Sequence, residues 1–292
     1  MSESKTKVSS SLAAVRDHDR RFSDFVFVYP VISRRSRGLS LGVNLNPDKV
    51  CNFNCIYCEV DRRIPGQAKE VNVPQLREEL TALIQMVKAG QLTIVPKFGE
   101  TRELAQQIRD LAFSGDGEPT MIPNFAECVG VVAGVKRAEG LAETKIVLIT
   151  DAAGLDKVDV KRGLAIMDAN QGEIWGKLDA GTDPYFRLVN RSHVCFDRIL
   201  RNLLETARVR PIIIQTMLLR VHGQAMPAAE LEAYCQCLVE LVHGGAQIKA
   251  VHAYTVARAT PEPYATPLEP DVLAQFAEAI RARTGLLVEI FE

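Results

Sequence analysis

Histidine, tryptophan and net charge are all scarce in this 292-residue chain, which has five histidines, one tryptophan and a formal charge of −1. The near-neutral balance offers no general basic field, so nucleic acid is not favoured as a partner. No apolar run approaches the ~18 residues of a membrane-spanning helix. Residues 1–21 are polar, without an apolar stretch of signal-peptide length. Both observations lead to the expectation of a cytoplasmic protein with no membrane partner. Seven cysteines are sparse and odd in number, which argues against a disulfide framework. What is present is ordinary globular material, 47% apolar and 24% charged, enough for a substantial core.

The cysteines are unevenly placed. Three fall in the run Cys51-Asn-Phe-Asn-Cys55-Ile-Tyr-Cys58, spaced so that one short loop can fold its thiolates around one corner of a metal cluster. A cysteine-held iron–sulfur cubane normally takes four thiolates. Three therefore leave one iron open to another ligand. A zinc site is the alternative and would make the chain a metal-binding structural protein, but it needs a fourth cysteine or histidine. The next of each are Cys128 and His193. Cys128, Cys195, Cys235 and Cys237 read as small buried hydrophobes, and the methionines, Trp175 and the histidines other than His252 as packing.

Around the run, the pattern predicts an α/β chain with a flexible arm over residues 1–24 and one core domain over 25–292. After an extended lead-in at 25–32, strands are expected at 39–45, 111–113, 145–150, 173–178, 211–219 and 248–256, with a last short strand at 286–291. Helices are expected at 74–88, 123–136, 159–167, 196–207, 228–242 and 270–283, and a longer loop at 89–103. Such alternation argues for parallel βαβ units, which right-handed crossovers curl into an open (β/α)6 barrel.

Ligands of parallel sheets gather at the carboxyl ends of the strands. The cysteine loop follows the first strand and therefore falls on that rim. So does Ser114-Gly115-Asp116-Gly117-Glu118-Pro119-Thr120, whose glycines permit close backbone approach and whose carbonyls and Glu118 carboxylate can accept hydrogen bonds from an ammonium group. Polar residues mark the other strand ends: Thr150 and Asp151, Lys177 and Asp179 on one face, Gln215 and Thr216, and His252, Tyr254, Thr255 and Arg258. Arg34, Arg35, Arg37, Arg62 and Arg63 flank the cysteine loop in sequence, either as a solvated face or as the holder of an anionic substrate.

The C-x3-C-x2-C run and the Gly-Asp-Gly-Glu turn together resemble the radical S-adenosylmethionine (radical SAM) superfamily. The segment from Ser36 to Leu45, the turn from Phe113 to Thr120, and Lys177-Leu-Asp-Ala-Gly181 resemble the branch that groups iron–sulfur oxidoreductases with the wybutosine (tRNA wyosine-base) synthases. The resemblance implies a partial (β/α)6 radical SAM barrel and a [4Fe-4S] cluster on Cys51, Cys55 and Cys58. It implies S-adenosylmethionine held by Tyr57, Ser114, Gly115, Asp116, Gly117, Glu118, Thr150, Asp151, Lys177, Asp179 and Gln215, with Glu118 facing its ammonium group. It further implies reductive cleavage to a 5′-deoxyadenosyl radical and a low-potential electron donor, flavodoxin or ferredoxin. Asp116 replaces the commoner glycine, and Thr150-Asp151 stands where many relatives have Thr-Asn. The wyosine enzymes carry extra upstream cysteines, whereas this chain has none before Cys51. A small-molecule or peptide substrate is accordingly expected ahead of tRNA.

Overall fold

A computed structural model describes residues 20, 22–68 and 70–292; nearly all of the expected arm lies outside the described residues. In chain order the strands are β1 (Val28–Ser33), β2 (Gly38–Val43), β3 (Ile108–Phe113), β4 (Lys145–Thr150), β5 (Gly172–Lys177), β6 (Ile212–Met217), β7 (Leu219–Val221), β8 (Ile248–Tyr254), β9 (Ala265–Pro267) and β10 (Val288–Phe291). Eight of them form one sheet in the order β1-β2-β3-β4-β5-β6-β8-β10, while β7 and β9 make a separate antiparallel pair. Only β1 runs antiparallel to its neighbour in the large sheet; the pairings from β2 to β10 are parallel. The result is the expected α/β half-barrel, a curled sheet with helices outside.

Local sequence explains the elements. β4 and β6 are near-continuous aliphatic runs, as strands covered on both faces require. The helices are α1 (Val73–Lys88), α2 (Phe125–Ala138), α3 (Val158–Asp168), α4 (Asp183–Asn190), α5 (Phe196–Val209), α6 (Ala228–His243) and α7 (Pro270–Thr284). In α1 the Asn72 side chain accepts from the Gln75 N–H at 3.1 Å, and Pro74 sits in the first turn, where its missing N–H costs nothing. Leu76, Leu80, Leu83, Ile84 and Val87 then form its buried stripe. Truncating one such leucine to alanine costs about 2–5 kcal/mol. Among the described residues no helix is long and apolar enough to cross a membrane.

Several boundaries differ from expectation. β2 and β6 stop at Val43 and Met217, so the residues beyond them form rim rather than strand. β3 starts at Ile108. The expected loop 89–103 holds 3-10 turns at Gln91–Ile94 and Pro96–Thr101. Helix α4 was not expected at all.

The outer strands β1 and β10 do not pair with each other. Side chains bridge them instead. From the turn after β1, Arg37 Nη2 lies 3.0 Å from Glu289 Oε1 on β10, and Arg34 donates to the carbonyl of Glu292. His252 Nε2 approaches the other Glu289 oxygen at 3.3 Å. In this clasp Arg37 and Glu289 join the two edges toward the amino-terminal end of the parallel strands, and Arg34 and Glu292 join them beyond the carboxyl end of β10.

Candidate functional site

The cysteine loop leaves β2 at the carboxyl rim with Cys51, Cys55 and Cys58 all partly exposed. The residues between them anchor it. Phe53, Ile56 and Tyr57 are buried, and Phe53 meets Phe186 of α4 edge-on at 5.3 Å. The backbone N–H groups of Asn54 and Ile56 donate to the carbonyls of Asn190 and Val189, each at 3.0 Å. The unexpected helix α4 is thus the element that pins the loop. Its signal in the sequence was Thr182-Asp183-Pro184: the Thr182 hydroxyl caps the Tyr185 N–H at 3.4 Å, with proline in the first turn.

Each thiol receives one N–H donor. Cys51 Sγ accepts from the Phe53 amide at 3.4 Å, Cys55 Sγ from Asn190 Nδ2 at 3.4 Å, and Cys58 Sγ from Arg62 Nη1 at 3.2 Å. Donors aimed at sulfur stabilise thiolates and tune iron–sulfur clusters. Burial pushes the free thiols of Cys51 and Cys55 the other way, up to about 12 and about 11; Asp151 adds to the first and Lys177 opposes the second. Among the described residues no three His, Cys, Asp or Glu side chains gather tightly enough for one metal ion. A cubane spreads its ligands more widely, one thiolate per iron. Of the other cysteines, Cys128, Cys235 and Cys237 are buried as expected, whereas Cys195 is exposed.

The turn after β3 lies directly against the approach to that loop. A side chain on Gly115 would strike the Asn44 amide and one on Gly117 the carbonyl of Val50, so this closeness requires both glycines. Asp116 commits its carboxylate to Arg20 at 2.9 Å and Asn44 at 2.8 Å. Ser114 Oγ meets the Tyr29 hydroxyl at 3.1 Å. Glu118 is buried and faces the wall. Its Oε1 accepts from the Thr120 amide at 3.1 Å and from the Thr120 and Thr150 hydroxyls at 2.6 Å each, while Oε2 accepts from the Asp151 amide at 2.8 Å. That carboxylate, expected to face an ammonium group, ties this turn to the end of β4. Of the turn's carbonyls, that of Glu118 accepts from the Met121 amide at 3.0 Å, while those of Gly115, Asp116 and Gly117 meet no donor among the described residues.

Asp179 organises the opposite side. Its Oδ1 accepts from the Met217 amide at 2.8 Å, and its Oδ2 from Asn190 Nδ2 at 2.8 Å and from the Tyr57 hydroxyl. Lys177 Nζ stands 3.8 Å from Asp179 and 3.1 Å from the Tyr57 oxygen. Burial works against that ammonium, but Asp179 and Tyr254 hold it protonated, with its pKa well above the usual lysine range. A side chain on Gly181 would collide with the backbone of Tyr234 on α6, so glycine there lets the Lys-Leu-Asp-Ala-Gly segment lie on that helix. Asp151 is held well above the ordinary carboxylate range by burial and by Glu118. Buried polar atoms without a partner cluster at this rim: Asp151 Oδ2, Asn190 Oδ1 and Gln215 Nε2. Orphaned groups of this kind call for a polar ligand.

The lumen below is lined by alternate residues of the strands, including Ala112, Trp175, Lys177, Gln215 and Tyr254. Trp175, expected as packing, contributes to this wall and donates its indole N–H to Glu173 at 3.1 Å. Thr216 points away and bonds Tyr234. His252 lies deeper, between the rings of Trp175 and Phe291 at 5.1 and 4.9 Å. The five arginines grouped in sequence separate in space. Arg34 and Arg37 form the clasp, Arg35 enters the lumen, Arg62 meets Cys58, and Arg63 is exposed on Asp61 at 2.9 Å.

No protein-family profile matches the chain. Curated relatives include GTPase Obg of Brachyspira hyodysenteriae, 26% identical over 62% of this chain and 23% of that protein. A UPF0026 protein of Methanocaldococcus jannaschii is 28% identical over 60% of this chain and 47% of its own length, and one of Synechocystis is 25% identical over 71% and 70%. The chain thus spans about a quarter and about half of the first two. It contains no G-x4-G-K-[ST] run, so the likeness to Obg carries no phosphate loop. Among solved structures, TYW1 with a lysine–pyruvate adduct bound is 16% identical, covering 85% of this chain and 74% of its own, with a TM-score of 0.51. Streptococcus suis SuiB bound to S-adenosylmethionine is 11% identical, covering 88% and 48%, with a TM-score of 0.53.

The fold is shared with TYW1 and SuiB. Within it, sequence reasoning missed Asn190, Asn44 and Thr120. Asn190 contacts Cys55, Tyr57 and Asp179 together, and its only signal was its place at the end of a short capped helix.

Proposed function

We propose that the protein is a radical SAM enzyme acting on a small-molecule or peptide substrate. The observation that carries this reading is the set of three thiols, each met by an N–H donor, beside a rim with orphaned buried polar atoms. Cys51, Cys55 and Cys58 would hold a [4Fe-4S] cluster. The carbonyls of the 114–118 turn, with Asp151 and Gln215, would hold S-adenosylmethionine. Cluster and S-adenosylmethionine together supply one-electron reductive cleavage to a 5′-deoxyadenosyl radical, which abstracts a substrate hydrogen.

The chain's own residues position and shield. Asp179 and Asn190 fix the cysteine loop against β6 and α4. Lys177, kept protonated, braces the Tyr57 hydroxyl. Its contacts with Tyr57, Tyr254 and Asp179 give Lys177 a positioning role. The lumen wall keeps water from the reacting centre. A low-potential donor, flavodoxin or ferredoxin, would deliver the electron in the cytoplasm. Among the described residues these five arginines do not line up as one stripe for a phosphate backbone, which supports placing a small substrate ahead of tRNA.

The test is anaerobic reconstitution with iron and sulfide, then reduction in the presence of S-adenosylmethionine. About four irons per chain and accumulation of 5′-deoxyadenosine are expected, both lost in Cys55→Ala. Stoichiometric zinc with no iron uptake would overturn the reading.

A further inference from the structure

Among the described residues Arg35 is a cation in the lumen wall with ring contacts only. It stands on the turn between β1 and β2, and its guanidinium carbon lies 5.3 Å from the ring centre of Trp175 and 5.2 Å from that of Tyr254. These ring contacts attract the charge but accept none of the guanidinium N–H bonds. Among the described residues, no hydrogen-bond acceptor or ion-pair partner serves it. The other cations lining the same cavity are engaged. Arg20 bonds Asp116 at 2.9 Å, Arg34 the carbonyl of Glu292, Arg258 the carboxylate of Glu59, and Lys177 pairs with Asp179 at 3.8 Å. Asp110, the acid in the lumen wall nearest in role, is occupied by the Ser40 hydroxyl.

Arg35 is half-buried, and a cation partly withdrawn from water without an acceptor carries a cost. Burial accordingly depresses the Arg35 pKa, although its guanidinium stays charged. Its side chain lines the cavity that it shares with Lys177, Gln215 and Ser114. A planar guanidinium fork matches two oxygens of a carboxylate or phosphate.

We infer that Arg35 grips the anionic group, carboxylate or phosphate, of the substrate that enters the lumen. Naming that ligand the substrate rests on the radical SAM reading; the anion site itself does not. The anion completes the coordination of the guanidinium and fixes the depth at which the substrate sits below the rim. The two aromatic walls hold the fork in place, so little conformational freedom is lost on binding.

The experiment measures thermal unfolding of the whole protein at constant ionic strength, with chloride replaced stepwise by inorganic phosphate or by acetate. A ligand that binds the native state raises the transition temperature saturably. A saturable rise is expected with at least one of the two anions, and which one responds assigns the chemistry. In Arg35→Gln the apparent affinity should fall at least tenfold, with Arg35→Lys in between because a point charge replaces the fork. S-adenosylmethionine affinity of the reconstituted protein should stay within twofold in Arg35→Gln. Equal anion responses in wild type and Arg35→Gln would overturn the inference, as would no response to either anion in wild type. A parallel loss of S-adenosylmethionine affinity would also overturn it, by assigning the fork to the carboxylate of that cofactor. Arg35-dependent anion binding in a protein that makes no 5′-deoxyadenosine would sustain the anion site while removing the proposed function.

Discussion

The two ends of the barrel lumen both carry polar side chains and treat them differently. At the amino-terminal end the carboxylates are answered. Glu173 meets Lys145 at 3.2 Å, Lys249 at 2.7 Å and the Trp175 indole, and Glu289 meets Arg37 and His252. At the carboxyl end several buried atoms stay open, among them Asp151 Oδ2, Asn190 Oδ1 and Gln215 Nε2. Satisfied polar groups hold a shape, whereas unsatisfied ones pay a standing cost that a ligand can relieve. The contrast is one of degree, since His252 Nδ1 is itself an orphan, but three such atoms gather toward the carboxyl end, which supports the proposed site there.

The sharpest way to test that contrast is at Asp179, which belongs to the carboxyl end but is fully engaged. Asp179→Ala would strand the Lys177 ammonium and the Met217 amide, and should cost roughly 3–5 kcal/mol in urea unfolding, together with most cluster loading. A loss under 1 kcal/mol would show that the network is looser than its distances. Next in size is Glu118→Gln. An amide cannot serve both the two threonine hydroxyls and the Asp151 N–H, so about 1–3 kcal/mol of stability should go. Retained S-adenosylmethionine affinity at saturating stability would confirm its inward role; selective loss of that affinity would restore a direct contact.

The amino-terminal end should respond more weakly. Burial, then the charge of Arg35, lowers His252 to about 4, opposed by Glu289 and Glu173. The unfolded chain therefore takes up this proton first as pH falls. The stability that a neutral His252 confers is complete above pH ~6.5 and is lost progressively toward the folded value, at no more than about 1.4 kcal/mol per pH unit. Unfolding free energies at pH 7 and pH 5 should converge in His252→Gln relative to wild type. Smallest of all is Glu173→Gln. Its lysine partners are 49% and 56% exposed, so less than ~1 kcal/mol should be lost.

Much of this arrangement was legible in the chain because it depends on local pattern. Aliphatic runs such as 145–150 announce strands wherever they fold, and the spacing of Cys51, Cys55 and Cys58 fixes a loop. The alternation of Lys177 and Asp179 placed both on one face, and they do meet. What escaped depends on distant partners. Glu118 turns inward because Thr150 and the Asp151 amide arrive from β4, which no feature of the Gly-Asp-Gly-Glu turn announces. The five arginines read as one group because sequence proximity hides the reversal between β1 and β2, which sends Arg34 and Arg37 to β10 and Arg35 inward. Helix α4 has eight residues, too few for periodicity to stand out, so its role under the cysteine loop could be seen only once folded.

The clasp between the β1–β2 turn and β10 has a bearing on how the protein behaves in crowded solution. A sheet closed by side chains leaves the outer flanks of β1 and β10 with backbone donors and acceptors that another chain can recruit. Charged groups placed across such a margin discourage that recruitment, and Arg34, Arg37 and Glu289 stand there. Ion pairs weaken as salt rises, with the screening length shortening from about 10 Å at 0.1 M to about 3 Å at 1 M. Concentrated salt, often added to keep proteins apart, would here relax the guard and favour strand-to-strand self-association, readable as a rise in scattering mass that moderate salt reverses.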